Sequence, residues 1–222
     1  NHPAFKAEWD KHNIVFFSTT SSDSYQLFTK FPVKTMADLK GKKLLAAGSV
    51  GAWIEGLGGT FVNSGIPAFY NALQTGVGDG VVLILTGGLP IKLPEVAPYV
   101  TMADIGTMAF GAFAANKKKW ESLPQEVRDV LLPIAQEYGA ENIRIVRERQ
   151  KAGLAKLEQE KKLFTLPADE RKRWADAMPN FAKSWVDVNE KNGIPARQIM
   201  KDYMEALRKG GAKPLRDWDK GL

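Results

Sequence analysis

The run VVLIL at Val81–Leu85 constrains the fold of this chain more than any other stretch. A strand with one face in water alternates polar and apolar residues, whereas these five residues are all apolar. The run therefore predicts a strand that is buried on both faces, in a parallel or mixed sheet covered by helices.

Other short apolar runs alternate with helical patterns along the first half of the chain. Strands are predicted at residues 13–18, 43–47, 61–62 and 107–115, and helical segments at residues 34–40, 52–57 and 67–75. An alternation of strands and helices is typical of an α/β protein.

The second half of the chain is predicted to be mainly helical. One long helix is expected over residues 123–160, with Pro133, Gly139 and Gly153 bending or weakening it. A lone strand is expected at 162–166, followed by amphipathic helices at 167–192 and 195–209. The aromatic residues of these helices recur at helical spacing, which favours a place in the core: Trp174, Phe181, Trp185 and Tyr203.

Composition excludes several kinds of site. The chain has no cysteine, and its two histidines, His2 and His12, both lie near the start. A thiolate metal site, a cysteine nucleophile and a histidine-rich metal site are therefore not expected. We predict no cofactor and no metal.

The glycines of GVGDG at Gly76–Gly80 do not predict a nucleotide site. A dinucleotide fingerprint needs the order strand, glycines, helix, whereas here a helix precedes the glycines and a strand follows them. A helix cap at Gly76 and a sharp entry into the strand explain the glycines better. An α/β enzyme that uses Asp79 or Asp104 remains an alternative, because each aspartate adjoins a predicted strand end.

The net charge of +6 comes entirely from one half of the chain. Residues 117–222 hold 23 Lys and Arg against 17 Asp and Glu, whereas residues 1–116 hold eight Lys, eight acids and no arginine. A basic half can indicate nucleic-acid binding. The acids are interspersed with the bases, however, which favours solvated helix faces and no nucleic-acid partner.

Three ordered stretches resemble the periplasmic solute-binding subunits of TRAP transporters. They are FPVKTMADLKGKKLLAAG at 31–48, FYNALQTGVGDG at 69–80, and EVAPYVT with the later AANKKKWESLPQEVRDVL within 95–132. The resemblance implies a periplasmic-binding-protein-like, two-lobed Venus-flytrap fold of the α/β class, braced by one long helix. It also implies that the first lobe is incomplete at the N-terminus here.

The resemblance implies a domain division and a function without catalysis. Residues 1–18 would belong to the first lobe and its crossing strand, 19–106 to the second lobe, 107–160 to the return strand and long helix, and 161–222 to the second lobe again. Such proteins capture a small organic acid in the periplasm and deliver it to the membrane subunits of a TRAP permease.

The residues that bind the ligand carboxylate in this family are replaced here. Leu45 stands where the family has its clamping arginine, Tyr25 where some members have another, and Leu83 where an asparagine follows the Asp-Gly pair. A carboxylate buried without a partner is costly, so we expect an aromatic or otherwise hydrophobic ligand. The predicted ligand-binding residues are Tyr25, Leu45, Ser49, Trp53, Ile66 and Leu83.

Two details of this predicted site stay open. A carboxylate on the ligand would meet neutral donors, such as Tyr25, Ser49 or the backbone N–H groups of residues 48–51, or groups from a preceding segment. Trp53 is either a stacking wall for the ligand or a packing residue of its own helix.

Overall fold

A computed structural model describes residues 3–54, 56–107 and 111–222 of the protein. Its centre is a six-stranded mixed sheet with the strand order β4-β3-β5-β2-β6-β8. The strands are β2 (Tyr25–Thr29), β3 (Lys43–Ala46), β4 (Thr60–Asn63), β5 (Gly80–Ile84), β6 (Tyr99–Met102) and β8 (Leu163–Thr165).

The VVLIL run forms an inner strand of this sheet, as predicted. Strand β5 is buried along its whole length. It pairs in parallel with β3 on one side and antiparallel with β2 on the other, which makes the sheet mixed. Both faces are covered, so no position of the strand needs a polar side chain.

The glycines before β5 have the roles that the sequence indicates. Gly76 ends the preceding helix with φ +81°, in the left-handed region that favours glycine. Gly80 lies so close to β2 that a Cβ atom there would be 2.7 Å from Cγ2 of Thr29. Glycine therefore permits both the turn and the close entry into the sheet.

A second, two-stranded sheet pairs β1 (Ile14–Thr20) antiparallel with β7 (Gly111–Asn116). The strand predicted at 107–115 corresponds to β7 from Gly111 onward, and residues 108–110 of that prediction lie outside the described residues. Helix α1 (Pro3–Lys11) packs on this sheet, where the Trp9 and Phe16 rings stack with centroids 5.7 Å apart.

The long helix α6 runs without interruption through the residues that were predicted to weaken it. It spans Gln125–Gln159 and contains Pro133. Gly139 lies against β1, where an added Cβ would be 2.9 Å from the Thr19 carbonyl oxygen. Gly153 lies against the Leu89 side chain in the same way. These two glycines allow close packing of the helix.

The helices around the sheets vary widely in length. Three are 3₁₀ helices, at Met36–Leu39, Gly48–Trp53 and Ile66–Ala68. The other α-helices are α2 (Phe69–Gln74), α3 (Leu85–Gly88), α4 (Leu93–Val96), α5 (Lys117–Glu121), α7 (Ala168–Ala177), α8 (Phe181–Lys191) and α9 (Ala196–Lys209). The helix predicted at 52–57 is thus a 3₁₀ helix that begins earlier, at Gly48.

The prediction of a single helix over 167–192 is wrong, because this segment forms two helices. α7 ends at Ala177, and Met178 is extended with ψ 146°, as expected for a residue that precedes a proline. α8 then begins at Phe181 after Pro179, with the Asn180 side chain accepting a hydrogen bond from the Lys183 N–H.

The prediction that the aromatic residues of these helices are core residues holds only in part. Trp174 is fully buried and Phe181 packs partly against the core. Trp185 is 36% exposed and Tyr203 is 58% exposed. The helical spacing of these two residues places them on a surface facing a groove, which is described below.

Candidate functional site

The candidate site lies at one edge of the large sheet. β3, β5, β6 and β8 run in the same direction and end at this edge, while the antiparallel β2 begins there. Ligand sites of open α/β sheets form at the carboxyl ends of the strands. Loops at this edge bring together residues that are far apart in the sequence.

Tyr25 and Trp53 form the centre of this edge. Tyr25 is the first residue of β2, and Trp53 is the last residue of the 3₁₀ helix that follows β3. Their rings meet edge to face with centroids 5.3 Å apart. The Trp53 carbonyl accepts a hydrogen bond of 2.7 Å from Nε1 of Trp174, which ties this turn to α7.

Burial and a nearby carboxylate disfavour ionisation of Tyr25. Desolvation raises the pKa of its phenol above the ordinary value, and the charge of Asp23 adds to this. Asp23 is itself buried and accepts hydrogen bonds from the backbone N–H and the hydroxyl of Thr86. Tyr25 is therefore a neutral phenol at physiological pH.

A polar network supports the strand ends behind these rings. The fully buried Gln26 donates to Asp104 at 2.7 Å and accepts from the backbone N–H groups of Ala103 and Asp104. Asp104 has φ 45°, and its carboxylate lies 3.6 Å from Nη1 of Arg171 on α7. The network fixes the segment that passes Trp53.

Sequence reasoning missed Arg171, which the fold brings to this edge from α7. Its Nε is buried and has no hydrogen-bond partner among the described residues, while Asp104 offsets its charge. Nothing in the local sequence links Arg171 to the strand end at Tyr25, which lies more than a hundred positions earlier in the chain. Only the tertiary structure brings the two residues to the same edge.

The six predicted site residues lie in three different places. Ser49 and Trp53 line one cavity at the edge, and Tyr25 adjoins it through Trp53. Leu45 and Leu83 are buried within β3 and β5, where Leu45 packs against Gly78. Ile66 is 39% exposed and begins the 3₁₀ helix after β4. The structure thus brings together Tyr25, Ser49 and Trp53.

The cavity at the edge, which we call the apolar groove, has a volume of about 560 Å³. Ser49, Trp53 and the segment Ile105–Thr107 form one wall. The C-terminal helices and the tail form the other wall with residues that sequence reasoning had not assigned to a site, chiefly Met178, Trp185, Met200, Tyr203, Met204 and Trp218. The high content of aromatic residues and methionines in this part of the sequence was the signal that could have indicated a binding site.

A larger cavity of about 780 Å³ lies between α1 and the two-stranded sheet. Its lining includes Phe5, Trp9 and Phe16, and it contains none of the predicted site residues.

The geometry does not support a carboxylate pair for an enzyme. Asp79 precedes β5 and accepts a hydrogen bond of 2.8 Å from the N–H of Lys43, at the opposite edge of the sheet from Asp104. Within the described ranges, no three His, Cys, Asp or Glu residues come together as a metal site. In the same part of the chain, no helix has the length and apolar character needed to cross a membrane.

Much of the positive charge of the second half is paired on helix surfaces. Arg144 contacts both Glu141 and Glu148 on α6, and Lys183 contacts Asp187 on α8. Arg208 binds Asp217 and Asp219 of the tail. This pairing agrees with the interpretation of solvated helix faces rather than a nucleic-acid surface.

A mixed sheet with a ligand-sized cavity at its carboxyl edge, a second small sheet and a long bracing helix define a protein of the solute-binding class. The family model described as bacterial extracellular solute-binding protein, family 7, matches residues 2–187. The chain belongs to this family.

Relatives agree with this membership. A curated solute-binding protein of Sulfitobacter sp. (strain NAS-14.1) is 30% identical over 133 residues, which cover 59% of this chain and 40% of the relative. A TRAP periplasmic solute-binding protein of Desulfovibrio salexigens, in an open complex, has a TM-score of 0.77 at 21% identity over 95% of this chain and 69% of its own. The chain thus spans under half of that curated relative.

Two structures with bound acids are also similar. A second Desulfovibrio salexigens protein, with bound orotic acid, has a TM-score of 0.75 at 21% identity over 93% of this chain and 67% of its own. A Shewanella oneidensis protein with bound succinate has a TM-score of 0.70 at 23% identity, over 87% and 65% of the two chains.

The comparisons confirm the family and the two-lobed α/β fold. The family is described as one of extracellular solute-binding proteins, and the similar Desulfovibrio salexigens proteins are periplasmic solute-binding proteins of the TRAP type.

Proposed function

We propose that this protein captures a small organic acid with an aromatic or hydrophobic body and delivers it to the membrane subunits of a TRAP transporter. The observation that carries the proposal is the apolar character of the Tyr25–Trp53 pair and of the groove beside it. Tyr25, Trp53 and the groove beside them offer rings and methionines, with hydroxyl groups as the polar elements.

The free-energy cost of burying a carboxylate supports this ligand class. A charged group that leaves water without a partner costs several kcal/mol. Leu45 and Leu83 lie buried in the strands at positions where the resemblance implies an arginine and an asparagine. A ligand that gains its affinity from apolar contact needs less compensation at these positions than a short dicarboxylate does.

Neutral donors would hold the acid group. The Tyr25 phenol stays protonated because its pKa is raised, so it can donate a hydrogen bond. Ser49 and the backbone N–H groups of residues 48–51 lie at the start of the 3₁₀ helix that ends at Trp53.

We also propose the lobe division expected from the sequence. The small sheet and α1 would belong to the first lobe, and the six-stranded sheet with α7–α9 to the second. The long helix α6 supports this, because it contacts β1 of the small sheet through Gly139 and the α3 region through Gly153. Closure about the segments between the sheets would then enclose the ligand.

Thermal unfolding against a panel of acids tests the proposed function. The panel contains C4-dicarboxylates, keto acids, sugar acids, and aromatic acids with neutral analogues, each at a fixed concentration. A ligand at 100 times its dissociation constant adds about 2.7 kcal/mol of stability, which raises the midpoint by several degrees. Selective stabilisation by aromatic acids is expected. Stabilisation by short dicarboxylates alone would contradict the ligand class and direct attention to Arg171.

A further inference from the structure

The apolar groove and the predicted ligand site share a wall. Trp53 faces Tyr25 on one side at 5.3 Å, and it lines the groove together with Ser49. Gly106 closes the gap beside the indole, because a Cβ there would lie 3.5 Å from Cη2 of Trp53. A ligand that stacks on Trp53 can therefore extend into the groove.

The lining of the groove disfavours the binding of a charged group. Among the described residues that line it, none is charged. Its floor includes the buried Met178 and Met204, and its outer wall includes the more exposed Trp185 and Tyr203. Flexible thioethers and flat rings adapt to apolar groups of varied shape. A volume of about 560 Å³ lies in the range of small-molecule sites.

The back of the groove is held in place before any ligand arrives. The Arg216 guanidinium stacks over the Trp218 ring at 4.3 Å and donates to the carbonyl oxygens of Ala175 and Met178. Trp218 also packs against Phe181, with centroids 6.2 Å apart. Ordered walls of this kind reduce the entropy that ligand binding costs.

Part of the groove is built by residues outside the part of the chain that matches the family model. The match ends at residue 187, whereas Met200, Tyr203, Met204 and Trp218 come later. We infer that the groove is a specificity-determining subsite, which binds an uncharged aromatic or branched aliphatic group of the captured acid. This inference rests on the proposed function, because it assigns a part of that ligand to the groove.

Titration calorimetry with a matched series of probes tests the inference. The probes are acetate, phenylacetate and indole-3-acetate, with neutral indole as the isolated tail. Three variants are compared with the unmodified chain: Trp185→Ala, Tyr203→Ala and the control Val188→Ala. Val188 lies on α8 like Trp185 and is 59% exposed, but it does not line the groove.

We expect the binding affinity to depend both on the apolar part of the probe and on the groove residue that is replaced. Phenylacetate and indole-3-acetate bind at least about tenfold more tightly than acetate, since a well-filled apolar pocket discriminates by such factors. Trp185→Ala and Tyr203→Ala weaken binding of indole-3-acetate by about fivefold or more, whereas Val188→Ala leaves it unchanged. Circular dichroism confirms that each variant is folded.

The outcomes separate the two proposals. Aromatic acids that bind more tightly than acetate, but with the same affinity in both wall variants as in the unmodified chain, would overturn the groove subsite and leave the proposed function intact. Indole that binds in a Tyr203-dependent way, with no acid bound, would contradict the proposed function and not the groove. Binding by no probe would overturn both.

Discussion

The ring of Tyr25 meets the ring of Trp53 edge to face, with planes at 76° and centroids 5.3 Å apart. The two residues are 28 positions apart in the chain and come together because β2 begins where the 3₁₀ helix after β3 ends. The contact joins the antiparallel strand to the parallel part of the sheet at the edge where the ligand is expected.

A double-mutant cycle should detect this contact. Trp53→Leu and Tyr25→Leu each lower the free energy of unfolding, and their combined effect should be smaller than the sum by about 0.5–1.5 kcal/mol. Urea unfolding of the four proteins measures the coupling.

The matched control combines Trp53→Leu with Tyr138→Leu. Tyr138 lies on α6 and contacts Phe113 of the small sheet, with centroids 5.2 Å apart. Its coupling to Trp53 should be close to zero. Equal coupling in both cycles would show that the Tyr25–Trp53 contact is not specific.

Tyr25 should make stability fall at alkaline pH. Its folded pKa is raised by desolvation and by Asp23, so the folded state keeps the phenolic proton longer than the unfolded state does. The stabilisation is fully present below the unfolded pKa of about 10 and is lost as the pH rises through the folded pKa.

Urea unfolding between about pH 9 and pH 11 compares the unmodified chain with Tyr25→Phe. The variant keeps the ring contact and lacks the titrating group, so its stability should fall less over this range. Parallel pH profiles for the two proteins would be evidence against a raised pKa at Tyr25.

Gly139→Ala should destabilise the protein although alanine favours helices. An added Cβ would lie 2.9 Å from the Thr19 carbonyl oxygen and 3.2 Å from Cβ of Ser18. The backbone of β1 would have to move, at a cost of about 1–3 kcal/mol. Thermal or urea unfolding measures the change.

The comparison for this prediction is Gly153→Ala in the same helix. The nearest atom there is Cδ1 of Leu89, the end of a flexible side chain that can adopt another rotamer. Gly153→Ala should therefore cost less than Gly139→Ala. The reverse order would contradict the packing of α6 against β1.

Gln26→Leu should be strongly destabilising although it places an apolar residue in the core. The substitution leaves the N–H groups of Ala103 and Asp104 without their acceptor, and each buried, unpaired group costs about 1–3 kcal/mol. The same substitution at the exposed Gln74 of α2 is the control and should change stability little. Similar effects at both positions would mean that the Gln26 network contributes nothing.

The sequence predicts strands well where local pattern and burial agree. The VVLIL run and KLLA at β3 form buried strands because no polar residue interrupts them. Strand β2, YQLFT, was not predicted, although all five residues are buried. Its Gln26 and Thr29 resemble surface residues until their partners are known, such as Asp104 and the Phe31 carbonyl.

The candidate site was predictable only in part, for a similar reason. Ser49 and Trp53 follow a strand end directly, so local order places them at the edge. Trp185 and Tyr203 have the helical spacing of core residues, but the packing of α8 and α9 leaves both of them at the border of a groove. Arg171 reaches the edge only through the packing of α7 beside Asp104.

The most direct test of an apolar ligand site compares two acids on the unmodified chain by titration calorimetry. Phenylacetate carries one carboxylate and an aromatic ring, whereas succinate carries two carboxylates and no ring. The apolar edge around Tyr25 and Trp53 predicts that phenylacetate binds at least about tenfold more tightly. Tighter binding of succinate would contradict it, because a second carboxylate would then have a partner that the apolar lining does not provide.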